Sequence, residues 1–281
     1  MRFGYNTNGF AHHCLGHALN ILARLGYRSI AITLDHYALN PFDRHLPEQV
    51  AEMRTILQKL NLGCVIETGA RFMLDPWRKH QPTLLSAAKS WRKRRLTFLQ
   101  GAVDIAHGLG AGAVSFWSGT PLDGAPDKIL MERLVEGCLR LCDYAAAEHV
   151  RLAFEPEPGM FIDRMSRFAD LRERVNRSNF GLTLDIGHLH CQGETPIADH
   201  IRHWRDMIWN IHIEDMCKGV HEHLMFGEGE IDFGPVLQAL EEIGYQGGVH
   251  VELSRHSHDA VNTACRALEF LKQTVNVKAH R

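Results

Sequence analysis

Short apolar segments alternate with longer amphipathic ones along the whole chain. The apolar segments are Phe3–Thr7, Ser29–Leu34, Gly63–Glu67, Ala113–Trp117, Val150–Glu155, Phe180–Asp185, Ile208–Glu214 and Gly248–Leu253. Amphipathic stretches follow them near 12–25, 47–61, 90–109, 128–148, 166–175, 197–206, 234–243 and 258–275. Strands that alternate with helix-length patterns read as βαβ units of a parallel sheet. Eight strands, each followed by a helix, is the count that a closed (β/α)8 TIM barrel requires. The pattern therefore predicts an α/β fold, one barrel domain over residues 1–281, with an open doubly wound sheet as the structural rival. Local punctuation agrees. Pro47 sits where a first-turn proline is tolerated, and Asp232 stands where it can cap the helix that begins at Phe233. Leu25-Gly26-Tyr27 and Ile243-Gly244-Tyr245 read as helix ends with a left-handed glycine.

Active sites of such barrels form at the C-terminal ends of the strands. Four successive strand ends carry Glu155, Asp185, His212 and Glu252. Side chains alternate between the two faces of a strand. With those four facing inward, Phe154, Leu184, Ile211, Ile213, Val251 and Leu253 face outward, and all are apolar. The inward positions one layer below are Ala153, Thr183, Asn210 and His250, small or polar throughout. Three carboxylates buried together repel one another and are costly to desolvate. One divalent ion bound by Glu155, Asp185, His212 and Glu252 answers both problems, and the donor set suits Mn, Co, Mg or Zn. The plainer alternative is a set of strand-end polar residues fixed by loop hydrogen bonds.

Composition narrows the picture a little. The formal net charge of −2 gives no global pull toward nucleic acid or an anionic membrane. The basic run Lys89–Arg95, with Trp91 inside it, reads as a solvated helix start. No apolar stretch approaches the roughly 20 residues of a membrane span, and MRFGYNTNGF lacks the pattern of a signal peptide. The seven cysteines are scattered without a CxxC pair, as in a reduced, cytoplasmic protein. Cys138 and Cys142, four apart on a helix, read as core thiols, with a soft-metal pair as the alternative. Among the 19 histidines, His12, His13 and His17 read as a helix face. The Gly227–Gly229 segment reads as a turn leading to Asp232.

With these motifs the chain resembles the xylose-isomerase-like TIM barrels, the superfamily of sugar isomerases and epimerases that also includes apurinic endonucleases. The resemblance rests on the Glu155 strand end, Leu184-Asp185-Ile-Gly-His188, Ile211-His212-Ile-Glu-Asp215, Gly227-Glu-Gly-Glu-Ile-Asp-Phe233 and Val251-Glu252. It implies that the matching Glu, Asp, His and Glu bind a catalytic metal and that Glu155 and Glu252 trade protons with the substrate. It implies substrate contact for His188 in an epimerase, or a further zinc in an endonuclease. His221 and His223 fall near the endonucleases' zinc-binding Asp-x-His, so His188, His221 and His223 are a candidate second metal site. The third and fourth strand ends, ETGARF and SFWSGT, lack the histidines that complete the endonuclease cluster. His36 is a partial replacement at best. Glu157 and Trp117 are candidate substrate contacts, while Arg164 and Arg255 read as surface arginines. The expected function is a metal-dependent isomerase or epimerase of a small sugar-like polyhydroxy carbonyl compound, in carbohydrate metabolism, working through an enediolate. The alternatives are a metal-dependent hydrolase and a non-catalytic binding barrel. The expected partner is a small-molecule substrate, not a membrane or a nucleic acid, and no feature sets an oligomeric state.

Overall fold

The computed structural model describes residues 1–278. Its strands are β1 (Arg2–Asn6), β2 (Ser29–Thr33), β3 (Gly63–Glu67), β4 (Val114–Phe116), β5 (Leu152–Phe154), β6 (Phe180–Asp185), β7 (Ile208–Ile213), β8 (Asp215–Cys217), β9 (Val220–Leu224) and β10 (Gly248–Val251). Eight of them close into a barrel in the order β1-β10-β7-β6-β5-β4-β3-β2, and every pairing with a described register is parallel. The helices are α1 (Leu15–Leu25), α2 (Leu46–Lys59), α3 (Lys89–Leu109), α4 (Asp127–Ala147), α5 (Met165–Val175), α6 (Ile186–Cys191), α7 (Ile197–His203), α8 (Phe233–Glu242) and α9 (Ala260–Lys278). None of them is long and apolar enough to cross a membrane. Two elements were not anticipated from the pattern: the six-residue α6 and the antiparallel hairpin β8-β9.

The chain divides into two compact units. One comprises Met1–Ile32, Thr55–Cys64 and Leu184–Arg281. In it, α1 buries Leu15, Ala18, Leu19 and Leu22, an i, i+3, i+4, i+7 stripe that turns one face to the core. Each such leucine contributes roughly 1.5–3 kcal/mol when fully buried. Gly26, at φ 114°, ends the helix, and its N–H reaches the carbonyls of Leu22 (3.2 Å) and Ala23 (3.1 Å). The helix begins at Leu15, so His12 and His13 precede it and do not form a helix face with His17. The Asp232 carboxylate accepts the Gly234 N–H at 3.0 Å and opens α8 as the sequence suggested.

The other unit comprises Thr33–Arg54 and Val65–Thr183. Its centre is aromatic: the rings of Phe116 on β4 and Phe154 on β5 are 5.2 Å apart, and Phe168 of α5 stacks on Phe154 at 6.1 Å. Phe154 thus faces the covering helix, as alternation along β5 requires. Cys138 and Cys142 are buried on α4, and burial pushes the Cys142 thiol up to about 12, consistent with core thiols. The Lys89–Arg95 run opens α3 and is exposed or half-buried, as read from the sequence, except at its last residue. Arg95 is 1% exposed, stacked between Trp117 (4.4 Å) and Phe98 (5.1 Å), and it donates from Nη2 to the Thr68 carbonyl at 2.9 Å. It sits six residues into α3, on the face turned to Phe98 and Trp117, where a planar cation can stack.

Replacing Asp232 with Ala removes the α8 cap, and the expected loss is about 1 kcal/mol of unfolding free energy in urea. An unchanged midpoint would show that the backbone alone fixes the start of α8.

Candidate metal centre

Asp185 is the last residue of β6 and the cap of α6 at once. Its Oδ1 accepts the His188 N–H at 2.7 Å, which starts the short helix and brings the His188 ring back toward the strand end. Its Oδ2 is buried without an N–H donor, and the Glu214 carboxyl lies within hydrogen-bond reach of Asp185. The nearest donors to that oxygen are His188 Nε2 at 3.6 Å and His212 Nδ1 at 3.7 Å. His212 lies on β7, and its Nδ1 is 2.9 Å from Glu252 Oε2. Glu252 follows β10 directly, and its Oε1 accepts the Asn8 amide at 2.7 Å. Burial alone would raise Asp185, but His188, His212 and His223 hold it below the usual carboxylate range. Glu252 is lowered too, because the neighbouring His212 outweighs burial. The three residues offer ligand atoms within 4.8 Å of one another. A buried carboxylate oxygen without an N–H donor, beside a second carboxylate and a ring nitrogen, fits a divalent cation.

Sequence reasoning missed Glu214. Counting by two from His212 puts it on the same inward face, and it is fully buried with its carboxyl within hydrogen-bond reach of Asp185. Burial, then the charges of Asp185 and Glu252, pushes its carboxyl well up, so it holds a proton. The strand was read as far as Glu214, but the inward count stopped at His212. Asp215 was overlooked too. Its carboxylate accepts the N–H groups of Met216 (3.0 Å), Gly227 (2.8 Å) and Ile231 (3.1 Å) and so fastens the glycine-rich turn.

His188, His221 and His223 also come together, with ligand atoms within 4.8 Å of one another. The hairpin explains the spacing: His221 and His223 are two apart on β9 and project from the same face. Nε2 of His188 and Nε2 of His221 are 3.2 Å apart. Two nitrogens on one tetrahedral zinc are separated by about 3.3–3.4 Å, given bonds of 2.0–2.1 Å. His223 Nδ1 is fixed on the Glu252 carbonyl at 3.1 Å, which leaves Nε2 with the lone pair. Burial takes His188 down to about 4 and lowers His221, so both rings are neutral.

Glu155 directly follows β5, is 5% exposed, and donates its N–H to the Phe116 carbonyl at 2.8 Å. Glu157 is half-buried, in a turn closed by its own N–H on the Ile162 carbonyl at 3.0 Å. Trp117, 7% exposed, lies between the Arg95 guanidinium and the edge of His80, whose ring is 5.1 Å away. His36 is exposed in the Asp35–Ala38 turn. Arg164 precedes α5 and pairs with Asp163 at 3.7 Å, and Arg255 pairs with Glu222.

An eight-stranded parallel barrel with acidic and imidazole side chains at or beside successive strand ends defines a class of α/β barrels. Within it, residues 19–274 match the model of the xylose isomerase-like TIM barrel family, and the chain belongs to that family. It is similar to an inosose dehydratase of Lacticaseibacillus casei, 28% identical over 165 residues, which are 52% of this chain and 55% of that protein. The chain thus spans about half the length of that relative. It is similar to an L-ribulose 3-epimerase of Methylomonas sp. (strain DH-1), 26% identical over 89% of this chain and 88% of that one. The crystal structure of the IolI protein with a bound zinc atom shares the fold at a TM-score of 0.76, with 19% identity and 98% of each chain covered.

Burial holds His80, His188 and His250 below the usual 6.5, at about 4, about 4 and about 3. In the unfolded chain these rings take protons near 6.5. Their contribution to stability is therefore complete above about pH 6.5 and is lost as pH falls toward 4. Glu214, held protonated, opposes this trend, but the rings outnumber it. Urea midpoints of the chelator-treated protein should fall steadily from pH 7 to 4.5; a flat profile would contradict neutral burial of the rings.

Proposed function

We propose that this protein is a metal-dependent isomerase or epimerase of a small sugar-like polyhydroxy carbonyl compound. Asp185, His212 and Glu252, joined by Glu155, hold the ion in this reading. The observation that carries it is the convergence of one ligand atom each from Asp185, His212 and Glu252, with the Asp185 oxygen short of an N–H donor. An ion held there would polarise the substrate carbonyl and the adjacent hydroxyl. The two glutamates do the proton work. Glu252 is held ionised and is aimed by Asn8, so it can take the proton from the carbon beside the carbonyl. Glu155 returns a proton to the resulting enediolate, or the two exchange roles. His188, neutral, hydrogen-bonds a substrate oxygen, and Glu157 and Trp117 contribute further contacts. Kinship with an L-ribulose 3-epimerase supports a sugar substrate, and the zinc in the IolI structure supports a metal of the Mn, Co, Mg or Zn group.

A second reading, metal-assisted hydrolysis, is favoured by His188, His221 and His223, whose ring nitrogens converge as a second ion would require. The two readings differ in metal count.

Incubated in deuterated water with ketoses and other hydroxy-carbonyl compounds, the protein should place deuterium on the carbon beside the carbonyl. Glu155→Gln and Glu252→Gln should each lower that exchange by about 10²–10⁴-fold, and both should reduce bound metal. Exchange at the normal rate in either variant would overturn the assignment of the bases.

Elemental analysis of the purified protein and of the His221→Ala/His223→Ala variant separates the two readings. One ion per chain, retained in the variant with turnover only partly altered, is the isomerase result. Two or more ions, one lost with nearly all activity in the variant, would favour hydrolysis.

A further inference from the structure

A line of buried polar groups runs inward from the candidate ligand His212. Ser29, Gly4, His250 and His212 lie on one rung of the sheet: Gly4 pairs with Ser29 on one side and His250 on the other, and His250 pairs with His212. The His250 ring crosses over Gly4 to reach β2. A Cβ at Gly4 would collide with His250 Cδ2, and one at Gly248 would collide with His250 Cε1, so two glycines make room for this ring. The contacts are Ser29 Oγ to His250 Nε2 at 2.9 Å, His250 Nδ1 to Asn210 Oδ1 at 2.8 Å, and Asn210 Nδ2 to His212 Nε2 at 3.1 Å. Ser29 is 3% exposed, Asn210 and His250 0%, and His212 1%.

An amide nitrogen only donates and an amide oxygen only accepts. Each contact in the line therefore has a direction. Ser29 donates to His250 Nε2, His250 Nδ1–H donates to Asn210, and Asn210 donates to His212 Nε2. His212 must then carry its own proton on Nδ1, where it donates to Glu252 at 2.9 Å. That is the nitrogen that faces Asp185 and Glu252, and a nitrogen bearing a proton has no lone pair for an ion.

We propose that Asn210, His250 and Ser29 are positioning residues that reverse their direction of donation when His212 takes an ion, and so hold its Nδ1 lone pair on the metal. The Asn210 amide turns over, so its oxygen accepts the proton now on His212 Nε2 and its nitrogen donates to His250 Nδ1. His250 then carries its proton on Nε2 and donates to Ser29 Oγ. Each ring ends with one proton, as it began, and the three contacts of the line survive with their polarity exchanged. The hydrogen bond of the His250 ring to the Ile211 carbonyl cannot reverse, because a carbonyl only accepts, and its loss is what the bound ion must offset. Groups that donate to or accept from the far nitrogen of a ligand histidine fix its tautomer, and their removal typically costs roughly 10–100-fold in metal affinity. The inference rests on the metal reading of Asp185, His212 and Glu252.

The test uses the full chain with zinc alone as the probe. Nitrogen NMR of histidine-labelled protein reports which ring nitrogen carries each proton, with the His250 signals assigned through their response to Ser29→Ala. The expected result is that the His250 proton moves from Nδ1 to Nε2 on zinc addition, together with that of His212. In chelator competition, Asn210→Leu and His250→Leu should bind zinc roughly 10–100-fold more weakly, and Ser29→Ala a few-fold more weakly. A wild-type chain that binds no zinc would remove the metal reading itself. A wild-type chain that binds zinc while His250 keeps its proton on Nδ1 would overturn this inference alone. So would folded Leu variants with wild-type affinity. If the Leu variants do not fold, the wild-type NMR result decides by itself.

Discussion

Like charges buried at the end of a strand need a counter-charge, and much of the local design around Asp185 follows from that need. Asp185 and Glu252 are both held ionised beside one imidazole, and a third carboxyl, Glu214, stays neutral because burial and those two charges leave no room for another. Hydrogen bonds to the backbone and to Asn8 occupy one oxygen of each ionised carboxylate. The second oxygens converge near His212 Nδ1. The proposed cation would satisfy this arrangement without adding bulk.

The surrounding structure keeps these groups in place with little freedom. Asp185 caps the helix that carries His188, so the turn of backbone and the position of the imidazole are one feature. Glu252 receives a side chain from the loop after β1, and its carbonyl holds His223 of the hairpin. Asp215, three residues after His212, ties down the glycine-rich turn. Sites supported this way are more rigid than sites on loops alone, and the proposed proton transfer requires that rigidity.

Much of this was legible in the sequence because β-strand alternation is a strict rule of two. The eight barrel strands were recovered within one or two residues at each end, and the inward placement of Asp185, His212 and their lower neighbours Asn210 and His250 followed from it. The rule was not carried one step further to Glu214, which lies on the same face. Helix α6 escaped because six residues are too few to show a period, and its start depends on a side-chain cap. Hairpin β8-β9 escaped because Val-His-Glu-His-Leu has no apolar face to mark it as a strand. Arg95 was placed in solvent because charge in the run Lys89–Arg95 dominated the reading, whereas its burial depends on Trp117, distant in sequence.

The central claim is that one divalent ion sits on Glu155, Asp185, His212 and Glu252. Anomalous diffraction from crystals grown with manganese or zinc, recorded on both sides of the metal's absorption edge, tests it directly. The account predicts a single strong peak within bonding distance of His212 Nδ1 and of an oxygen from each of the three carboxylates, at about 2.0–2.2 Å for zinc. Full metal occupancy elsewhere in the chain, with no peak at His212, would contradict it.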